Sequence, residues 1–555
     1  MIDTFLNAKS VEYADLRSGM STTDNTRFLR MWHEIDIRKS FLNCNNLIVA
    51  KNSLQKWFPY NKGGDFRKWY SNQLLLLNWY NDGEEIKYAV THNPKDPKTT
   101  SWSRRIFATD RFFNNSISWS KVSSNHVAFR YFQQGFIFDV AGTSLFPYDK
   151  SKMYAMLALM NSHYSQYCLD LISPTINYEV GHVSSIPIND NIFHLKSIDT
   201  MVAQNISISK LDWDFHETSW DFQANELVTL AATYRDTHPE METYTPRYQG
   251  DFNLLEHCYN QYVQYWTDLF HQLHTNEETL NKQFIEIYGL QDELTPDVPL
   301  SEVTILQQGE ITIENDQLVF HGDVVMKQFI SYLVGLCMGR YRLDNSGLHI
   351  AHPKPTEEET APYTYRGVEI PIAPEPILPL LPDDAPFQDN LQHRIVKLCA
   401  AIFGPNQRDF ALQFIQEQLG RSLEDYLNKD FWKDHKKMYK NRPIYWLFTS
   451  DKGHFRCLTY MHRMNEFTAF KIFKQYLGPY IGHMRNYMAQ VESKNAPMTA
   501  HEHKTCQLYQ RYIKDCEKYI FRLQAVAEDS DRTRFDLDDG FVHNYAKYGD
   551  VVAKV

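Results

Sequence analysis

The chain has 555 residues, 43% of them hydrophobic and 14% aromatic, and a formal net charge of −11 at pH 7. This length exceeds one ordinary hydrophobic core, so we expect two to four packed domains and not a disordered chain. No run of about 18 apolar residues and no signal-peptide pattern is present, so we expect a cytoplasmic protein without a membrane span. Eight scattered cysteines form no CxxC pair and are expected to be reduced and mostly buried.

The first third of the chain predicts short strands between helices. Asp24 or Asn25 is placed to cap a helix over Arg27–Arg38. Aromatic and β-branched segments, broken by Gly, Asn, Pro and Asp, follow up to residue 150 and are typical of strands. A helical segment runs from Lys152 to about Ile172. The clearest predicted strands are 74–79, 117–122 and 127–132.

The rest of the chain is predicted to be mainly helical. Apolar residues at three-to-four spacing in 252–288, interrupted near Asn276, indicate a helical hairpin. Nine prolines among acidic residues in 353–386 exclude a continuous helix and predict an extended strap docked on a domain surface. We therefore predict an α+β chain divided into 1–195, 196–352, 353–390 and 391–555, with the strap joining two independently folded units.

Positive charge is concentrated in two places. Residues 51–131 contain thirteen Lys or Arg and six Asp or Glu, a balance of +7, and residues 429–463 contain nine against three, a balance of +6. Basic islands in an acidic chain favour local polyanion-binding faces. The alternative is the ordinary fluctuation of a charged surface, and it is the stronger interpretation for the second island.

The segment 56–70 combines cations with aromatic residues around Gly63-Gly64. A glycine pair permits a tight turn with exposed N–H groups, and interleaved Lys, Arg and aromatic side chains suit phosphate contact on a duplex. The alternative is a hairpin with core aromatics and solvated cations. A second group of cations favours DNA; its members are Arg104, Arg105, Arg111, Lys121 and Arg130.

The search for catalytic motifs is negative. GxGxxG, GxxxxGK[ST], HExxH and GxSxG are absent from the sequence. An adenine methyltransferase needs a glycine-rich turn for S-adenosylmethionine and an Asn/Asp-Pro-Pro-aromatic motif for the flipped base, and Asn93-Pro94-Lys95 lacks half of the latter. We predict no catalytic residue and no metal site. His435, His454 and His462 match no common ligand spacing and are interpreted as structural.

One segment resembles the closing part of target recognition domains in bacterial restriction-modification enzymes. It consists of an apolar helix that ends at Asn161-Ser162, a loop with Pro174 leading to a short strand, and a turn at Gly181 before Ile186-Pro187-Ile188. Such domains recognise DNA sequence and perform no chemistry. The segment occurs once in this chain, whereas a type I specificity subunit normally carries two recognition domains.

Many short segments, in order, resemble the adenine-specific DNA methyltransferases of BREX phage-defence systems, the PglX family. Individually these segments are moderately specific, but together they cover nearly the whole chain. Besides the opening residues they are Thr23–Arg30, Lys56–Tyr70, Asn78–Gly83, Ile117–Ser120, Gly135–Gly142, Ser219–Phe222, Ile287–Leu290, Leu294–Pro296, Gly339–Asp344, Phe431–Trp432, His435, Asn441–Trp446 and Tyr460–Arg463.

This resemblance implies sequence-specific duplex DNA recognition for adenine N6-methylation. The family's catalytic motifs match no position here, so the chain resembles the recognition half, with S-adenosylmethionine expected in a separate methyltransferase half or subunit. Other BREX proteins are further candidate partners. Predicted DNA contacts are Lys62, Arg67, Lys68, Arg105 and Arg130, with Arg104, Lys121, Ser123, Ser124 and Asn125 at base edges. The alternatives are a protein-interaction scaffold of a defence complex and a type I specificity-like subunit.

Overall fold

The computed structural model describes residues 7–123, 126–173, 175–244, 246, 251–382, 385–494 and 497–555. The chain forms two compact units. Unit 1 comprises Met1–Trp32, Arg38–Trp220 and Val263–His321, and unit 2 comprises His33–Ile37, Asp221–Tyr262 and Gly322–Val555. This division differs from the four consecutive parts predicted from the sequence, because each unit is assembled from separated stretches of chain.

Unit 1 contains two four-stranded sheets and two strand pairs. The first sheet has the order β2-β9-β6-β7 and is antiparallel. The second has the order β3-β5-β4-β8, in which β4 and β8 are parallel. The strands are β1 (Ala8–Lys9), β2 (Ala14–Arg17), β3 (Leu29–Met31), β4 (Trp57–Asn61), β5 (Leu75–Asn78), β6 (Ser116–Trp119), β7 (Phe129–Phe132), β8 (Ile137–Phe138), β9 (Ser144–Pro147), β10 (Pro187–Ile188), β11 (Ile311–Glu314) and β12 (Gln317–Phe320).

Eight helices precede residue 220 in the described part of unit 1. They are α1 (Ser10–Tyr13), α2 (Asn25–Phe28), α3 (Leu47–Asn52), α4 (Tyr80–Thr91), α5 (Met153–Met160), α6 (His163–Ile172), α7 (Val180–Ser184) and α8 (Lys196–Asp214). The apolar α5 packs against α8 and β7 and is buried almost all round, as its composition requires. Aromatic rings fill the core beside β4 and β5, with Phe112 in edge contact with Trp79 and Phe138.

Unit 2 is mainly helical and contains a three-stranded antiparallel sheet of order β15-β17-β16 and the antiparallel strand pair β13-β14. Its strands are β13 (Tyr363–Tyr365), β14 (Val368–Ile370), β15 (Ile377–Pro379), β16 (Tyr445–Thr449) and β17 (Arg456–Tyr460). Helix α9 (Glu226–Thr237) lies in this unit, and α10 (Leu254–Tyr288) begins here and continues into unit 1. The later helices are α11 (Gly322–Met338), α12 (Glu357–Thr360), α13 (Leu391–Phe403), α14 (Arg408–Leu419), α15 (Leu423–Lys429), α16 (Phe431–Met438), α17 (Thr468–Lys471), α18 (Gly478–Glu492), α19 (Ala500–Glu528), α20 (Ser530–Thr533) and α21 (Gly540–Tyr548).

The α+β class is confirmed, and the three clearest predicted strands are present as β5, β6 and β7. Asp24 does cap a helix, but α2 is a single turn that leads into β3. The predicted hairpin at 252–288 is wrong, because α10 is continuous. Asn276 is tolerated inside it since its side-chain amide donates to the Asn205 side-chain oxygen at 2.8 Å.

The described residues of the proline-rich segment 353–390 contain no long helix, but they form the single turn α12 and the short strands β13, β14 and β15, and the segment lies within unit 2 instead of joining two units. Its strand β15 pairs with β17 in the sheet of unit 2. Pro379 is accommodated because β15 is an edge strand, where a missing N–H leaves no ladder position empty. The segment is therefore an integral part of unit 2.

Candidate nucleic-acid interface

Two cations of segment 61–73, Arg67 and Lys68, are held inside unit 1. The Arg67 guanidinium lies 2.9 Å from the Asp212 carboxylate on α8, and the two side chains are 8% and 1% exposed. The Lys68 ammonium pairs with Glu277 on α10, and the Trp69 indole N–H donates to the same carboxylate at 2.6 Å. These buried charges are paired and hydrogen-bonded, which is what makes their burial tolerable.

Arg130 on β7 fixes the same segment from another side. Its guanidinium donates to the main-chain carbonyl of Asp65 at 3.2 Å and to the Ser120 hydroxyl at 3.0 Å, and its side chain is buried. The assignment of Arg67, Lys68 and Arg130 as DNA contacts is therefore corrected. In this structure they hold loop 61–73 in place, and their charged groups do not reach the surface.

A buried histidine belongs to the same network. The His216 Nε2 atom forms a hydrogen bond with the Glu310 carboxylate at 2.6 Å. The other ring nitrogen, Nδ1, lies 2.7 Å from the Asp212 carbonyl oxygen. Burial alone would lower the pKa of His216, but the Glu310 carboxylate raises it above the usual value. The protonated imidazole is thus the form that this site favours.

Lys62 and Lys121 are partly exposed at neighbouring loops. Lys62 is 32% exposed and lies 3.3 Å from Asp139, while Lys121 is 35% exposed and lies 2.9 Å from Glu179. Ser123 donates its main-chain N–H to the Ile176 carbonyl at 3.0 Å. Of the other predicted base-edge residues in this loop, Ser124 and Asn125 lie outside the described residues.

Segment 93–105 carries four exposed cations of the first basic island. Arg104 and Arg105 are exposed, and so are Lys95 and Lys98, which our motif-based prediction missed. Asp96 pairs with Arg105 at 2.7 Å, and hydrogen bonds from Arg105 and Thr99 hold the pKa of its carboxyl below the usual value. The sequence pattern that could have identified this exposed loop is four Lys or Arg residues within eleven positions, separated by Pro and Ser.

Exposed aromatic side chains stand beside these cations. Trp102 is 38% exposed and Phe107 is 42% exposed. The Lys87 ammonium lies 5.3 Å from the Trp79 ring centroid and 4.9 Å from that of Trp102, so a cation between two indoles orients the loop. Exposed cations next to rigid aromatic surfaces suit contact with a nucleic-acid backbone and its bases.

Main-chain and side-chain contacts link the loop that carries Arg105 to the loop that carries Lys62. The Ser21 N–H donates to the Arg105 carbonyl at 2.7 Å, and Met20 forms a parallel bridge with Asp139. The Asp139 carboxylate in turn accepts from the Tyr60 hydroxyl at 2.6 Å and pairs with Lys62. Lys62 and Arg105 are therefore linked through Asp139 and the Met20-Ser21 segment of unit 1.

The side chains of Asn161 and Ser162 stabilise the local structure through hydrogen bonds. The Asn161 side-chain oxygen accepts from the Phe129 N–H and its amide donates to the Phe129 carbonyl, each at 2.9 Å. Ser162 caps α6. The predicted helix end is confirmed, and the amide fixes the start of β7. The short strand predicted before Gly181 is replaced by one bridge between Asn177 and Val122, followed by α7.

The three histidines considered as metal ligands, His435, His454 and His462, are buried or in contact with other side chains. Burial and the nearby Arg340 guanidinium lower the pKa of His435 and His462 to about 3, so both are neutral. His454 stacks on Tyr512 and lies 3.2 Å from Asp515. Across the described parts of the chain, no group of three or more His, Cys, Asp or Glu is arranged to hold a metal ion.

Sequence comparison identifies relatives along nearly the whole chain. The adenine-specific methyltransferase PglX of Lacticaseibacillus casei (strain Zhang) is 33% identical over 549 residues, and the adenine-specific methyltransferase BrxX of Escherichia coli O9:H4 (strain HS) is 32% identical over 557 residues. The chain is PglX-like. The alignments cover 96% and 95% of this chain and 42% of each relative, so the chain spans less than half the length of these relatives.

Other comparisons add less. No protein-family model matches the chain. The solved structure of the type IIL restriction-modification enzyme MmeI in complex with DNA aligns with 52% of this chain and 34% of its own, at 12% identity and a TM-score of 0.27. Within the residues that the structure describes, no helix has the length and apolarity that crossing a membrane requires.

Proposed function

We propose that this PglX-like chain supplies sequence-specific duplex DNA recognition for a BREX-type adenine N6-methylating system in phage defence. The observation that carries the proposal is the relationship to two adenine-specific methyltransferases over 95% or more of the chain. The exposed cations and aromatics of unit 1 support it, because methylation at a chosen adenine requires a surface that binds the backbone and reads base edges.

The proposed phosphate contacts are the cations that the structure leaves accessible. Arg105 lies on the exposed loop 93–105, and Lys62 lies at the turn beside Gly63. Arg104, which the sequence predicts at a base edge, is proposed here as a phosphate contact because it lies next to Arg105 on the same exposed loop. Lys121 and Ser123 begin the loop proposed to enter a groove, and Ser124 and Asn125 continue it in sequence. The missed residues Lys95 and Lys98 join the phosphate contacts.

In this proposal S-adenosylmethionine is bound by a methyltransferase half or subunit that acts together with this chain. The sequence holds neither a glycine-rich cofactor turn nor a base-gripping motif, and no residue here is given a role in methyl transfer. The chain then contributes position on the duplex and choice of site. Other BREX proteins are further proposed partners.

The test is the salt dependence and selectivity of DNA binding by the whole chain. Fluorescence anisotropy with 30-base-pair duplexes should give a log–log salt slope of roughly −3.6 to −5.4 for four to six phosphate contacts. Selection from a randomised duplex library should recover one sequence bound at least about 10³-fold more tightly than the bulk. Absence of salt-dependent binding, together with capture of other defence proteins, would favour the scaffold alternative.

A further inference from the structure

Two aromatic side chains of unit 1 lie in solvent beside the cations of segment 93–105. Trp102 lies within this segment and Phe107 follows it, and each leaves more than a third of its surface exposed. Large rings are usually covered in a folded chain, because apolar surface in water costs free energy. Two such rings in one short stretch indicate a surface that another molecule covers.

The backbone holds Phe107 at the surface. Its neighbours Ile106 and Ala108 pack against the core of unit 1, so the exposed ring projects from an anchored stretch of chain. Ala108 has a φ angle of 51°, in the left-handed region that a residue other than glycine adopts at a cost in free energy. Residues with this kind of strain concentrate at binding and catalytic sites.

The Trp102 ring is held in place as well. The Arg105 and Ile106 N–H groups both donate to the Trp102 carbonyl at 3.0 Å, which closes a turn of the chain. The Lys87 ammonium on α4 lies 4.9 Å from the centroid of the indole ring. Trp102 and Phe107 are therefore exposed in fixed positions, and little freedom is lost when they bind.

The charge next to the rings is positive. Segment 93–105 contains four cations and the single carboxylate of Asp96, a balance of +3. Arg104 and Arg105 come between the two rings in sequence, and both are exposed. Cations interleaved with exposed aromatic rings are typical of surfaces that bind nucleic-acid strands with accessible bases.

The carboxylates on either side of this segment already have partners. Glu84 accepts a hydrogen bond from the Asn81 side-chain amide. The other three are paired with cations, namely Asp82 with Lys87, Glu85 with Arg27 and Asp110 with Arg111. Neighbouring negative charge is thus matched locally, and the excess of cations remains at the segment that carries the rings.

The rings distinguish between two states of DNA. In a paired duplex the flat faces of the bases are covered by neighbouring bases, and a protein reaches only base edges and the backbone. An aromatic ring can stack on a base where pairing is locally open, and each such stack is worth about 1–3 kcal/mol in single-strand binding proteins. Flat, fixed rings among cations therefore favour an open strand.

We propose that Trp102 and Phe107 stack on unpaired bases, so that the chain binds DNA with a locally open strand more tightly than a fully paired duplex. The neighbouring cations hold the backbone of that strand. The inference rests on the proposed function, because the same segment supplies the phosphate contacts proposed there, and it adds the state of the DNA that the segment takes.

The test compares binding of the whole chain to two 30-base-pair duplexes, one fully paired and one with a short central run of T·T mismatches. Fluorescence anisotropy at one salt concentration should show about 10- to 100-fold tighter binding to the mismatched duplex. Trp102→Ser combined with Phe107→Ser should abolish this preference, while the affinity for the paired duplex stays within about twofold and its salt slope is unchanged. The matched control is Phe521→Ser on α19, an exposed phenylalanine of unit 2, which should keep the full preference.

Two single substitutions separate ring stacking from apolar bulk and from disturbance of the loop. Phe107→Tyr keeps the ring and should keep the preference, whereas Phe107→Leu keeps an apolar side chain without a flat face and should lose much of it. Thermal melting establishes that each variant is folded.

Equal affinity of the wild-type chain for the two duplexes would overturn the inference and leave the proposed duplex recognition standing. Full preference in both Phe107→Leu and the double serine variant would also overturn it, because the rings would then contribute nothing. A ring-dependent preference for mismatched DNA, without selection among paired sequences, would support the inference and count against the proposed sequence recognition.

Discussion

Two basic segments of unit 1 have similar compositions and opposite environments. Segment 61–73 places Arg67 and Lys68 in buried ion pairs with carboxylates on α8 and α10. Segment 93–105 places Arg104 and Arg105 in solvent. Local charge is therefore a poor guide to a binding surface when the neighbouring residues are large and aromatic. The aromatic neighbours of Lys68, namely Trp69 and Tyr70, are buried in the core, and the adjacent cations are buried with them.

The largest expected effect comes from breaking one of these buried pairs. Lys68→Met leaves the Glu277 carboxylate buried without its cation and should destabilise unit 1 by about 3–5 kcal/mol. Hydrogen exchange of the main-chain amides in β4 and in the part of α10 from Val263 onward, measured at several urea concentrations, reports this loss for unit 1 separately from unit 2.

Two further variants control this prediction. Lys68→Met combined with Glu277→Gln removes both charges and should regain much of the lost stability. Lys98→Met, in the exposed segment, should change stability by no more than about 0.5 kcal/mol. Equal effects of Lys68→Met and Lys98→Met would remove the distinction between the two segments.

The second prediction concerns DNA binding by the exposed segment. Replacing Arg104 and Arg105 by Glu should weaken binding about 10- to 100-fold on all duplex sequences. It should also reduce the log–log salt slope by about two, because two phosphate contacts are lost. Fluorescence anisotropy between 50 and 300 mM salt measures both quantities.

The matched control is Lys429→Glu with Lys433→Glu in the second basic island, where both cations are exposed and paired with Asp425 and Asp430. It should leave the slope unchanged. A larger loss from this control than from the Arg104 and Arg105 variant would place the electrostatic surface in unit 2.

The sequence was informative where local chemistry decides the structure. Strands β5, β6 and β7, the helix end at Asn161-Ser162 and the burial of all eight cysteines follow from local pattern. The partners of Arg67 and Lys68 could not be predicted, because Asp212 and Glu277 lie 145 and 209 residues away in sequence. Asn276 inside α10 is hydrogen-bonded to Asn205, which lies 71 residues away in the chain.

The third prediction uses pH to probe the buried segment. The pKa of His216 is raised by Glu310, so the folded state binds this proton more tightly than the unfolded chain does. The stabilisation is complete below the ordinary histidine pKa and is lost as the pH rises through the folded-state value. Amides of α8 should exchange faster at pH 9 than at pH 6, after correction for intrinsic rates.

Glu310→Gln should remove this pH dependence, since the neutral amide no longer favours the imidazolium. The effect should be smaller than that of Lys68→Met, because raising the pH neutralises His216 and leaves the remaining ion pairs intact. A stability of unit 1 that rises between pH 6 and pH 9 in the wild-type chain would contradict the assigned direction.

The smallest expected effect comes from Asp96, which holds Arg105 at the surface. Asp96→Asn removes one negative charge beside the proposed phosphate contacts while an amide oxygen can still accept from Thr99. The exposed pair itself contributes little to stability, because solvent screens it. DNA affinity should rise about two- to fivefold at 50 mM salt, the size expected for one unit charge in water, and the gain should fade at higher salt.

Asp425→Asn, which frees the exposed Lys429 in unit 2, is the matched control and should not change affinity. If Asp96→Asn instead weakens DNA binding, Asp96 acts chiefly by holding the loop in its binding shape, and the exposed segment would then depend on a fixed ion pair much as the buried one does.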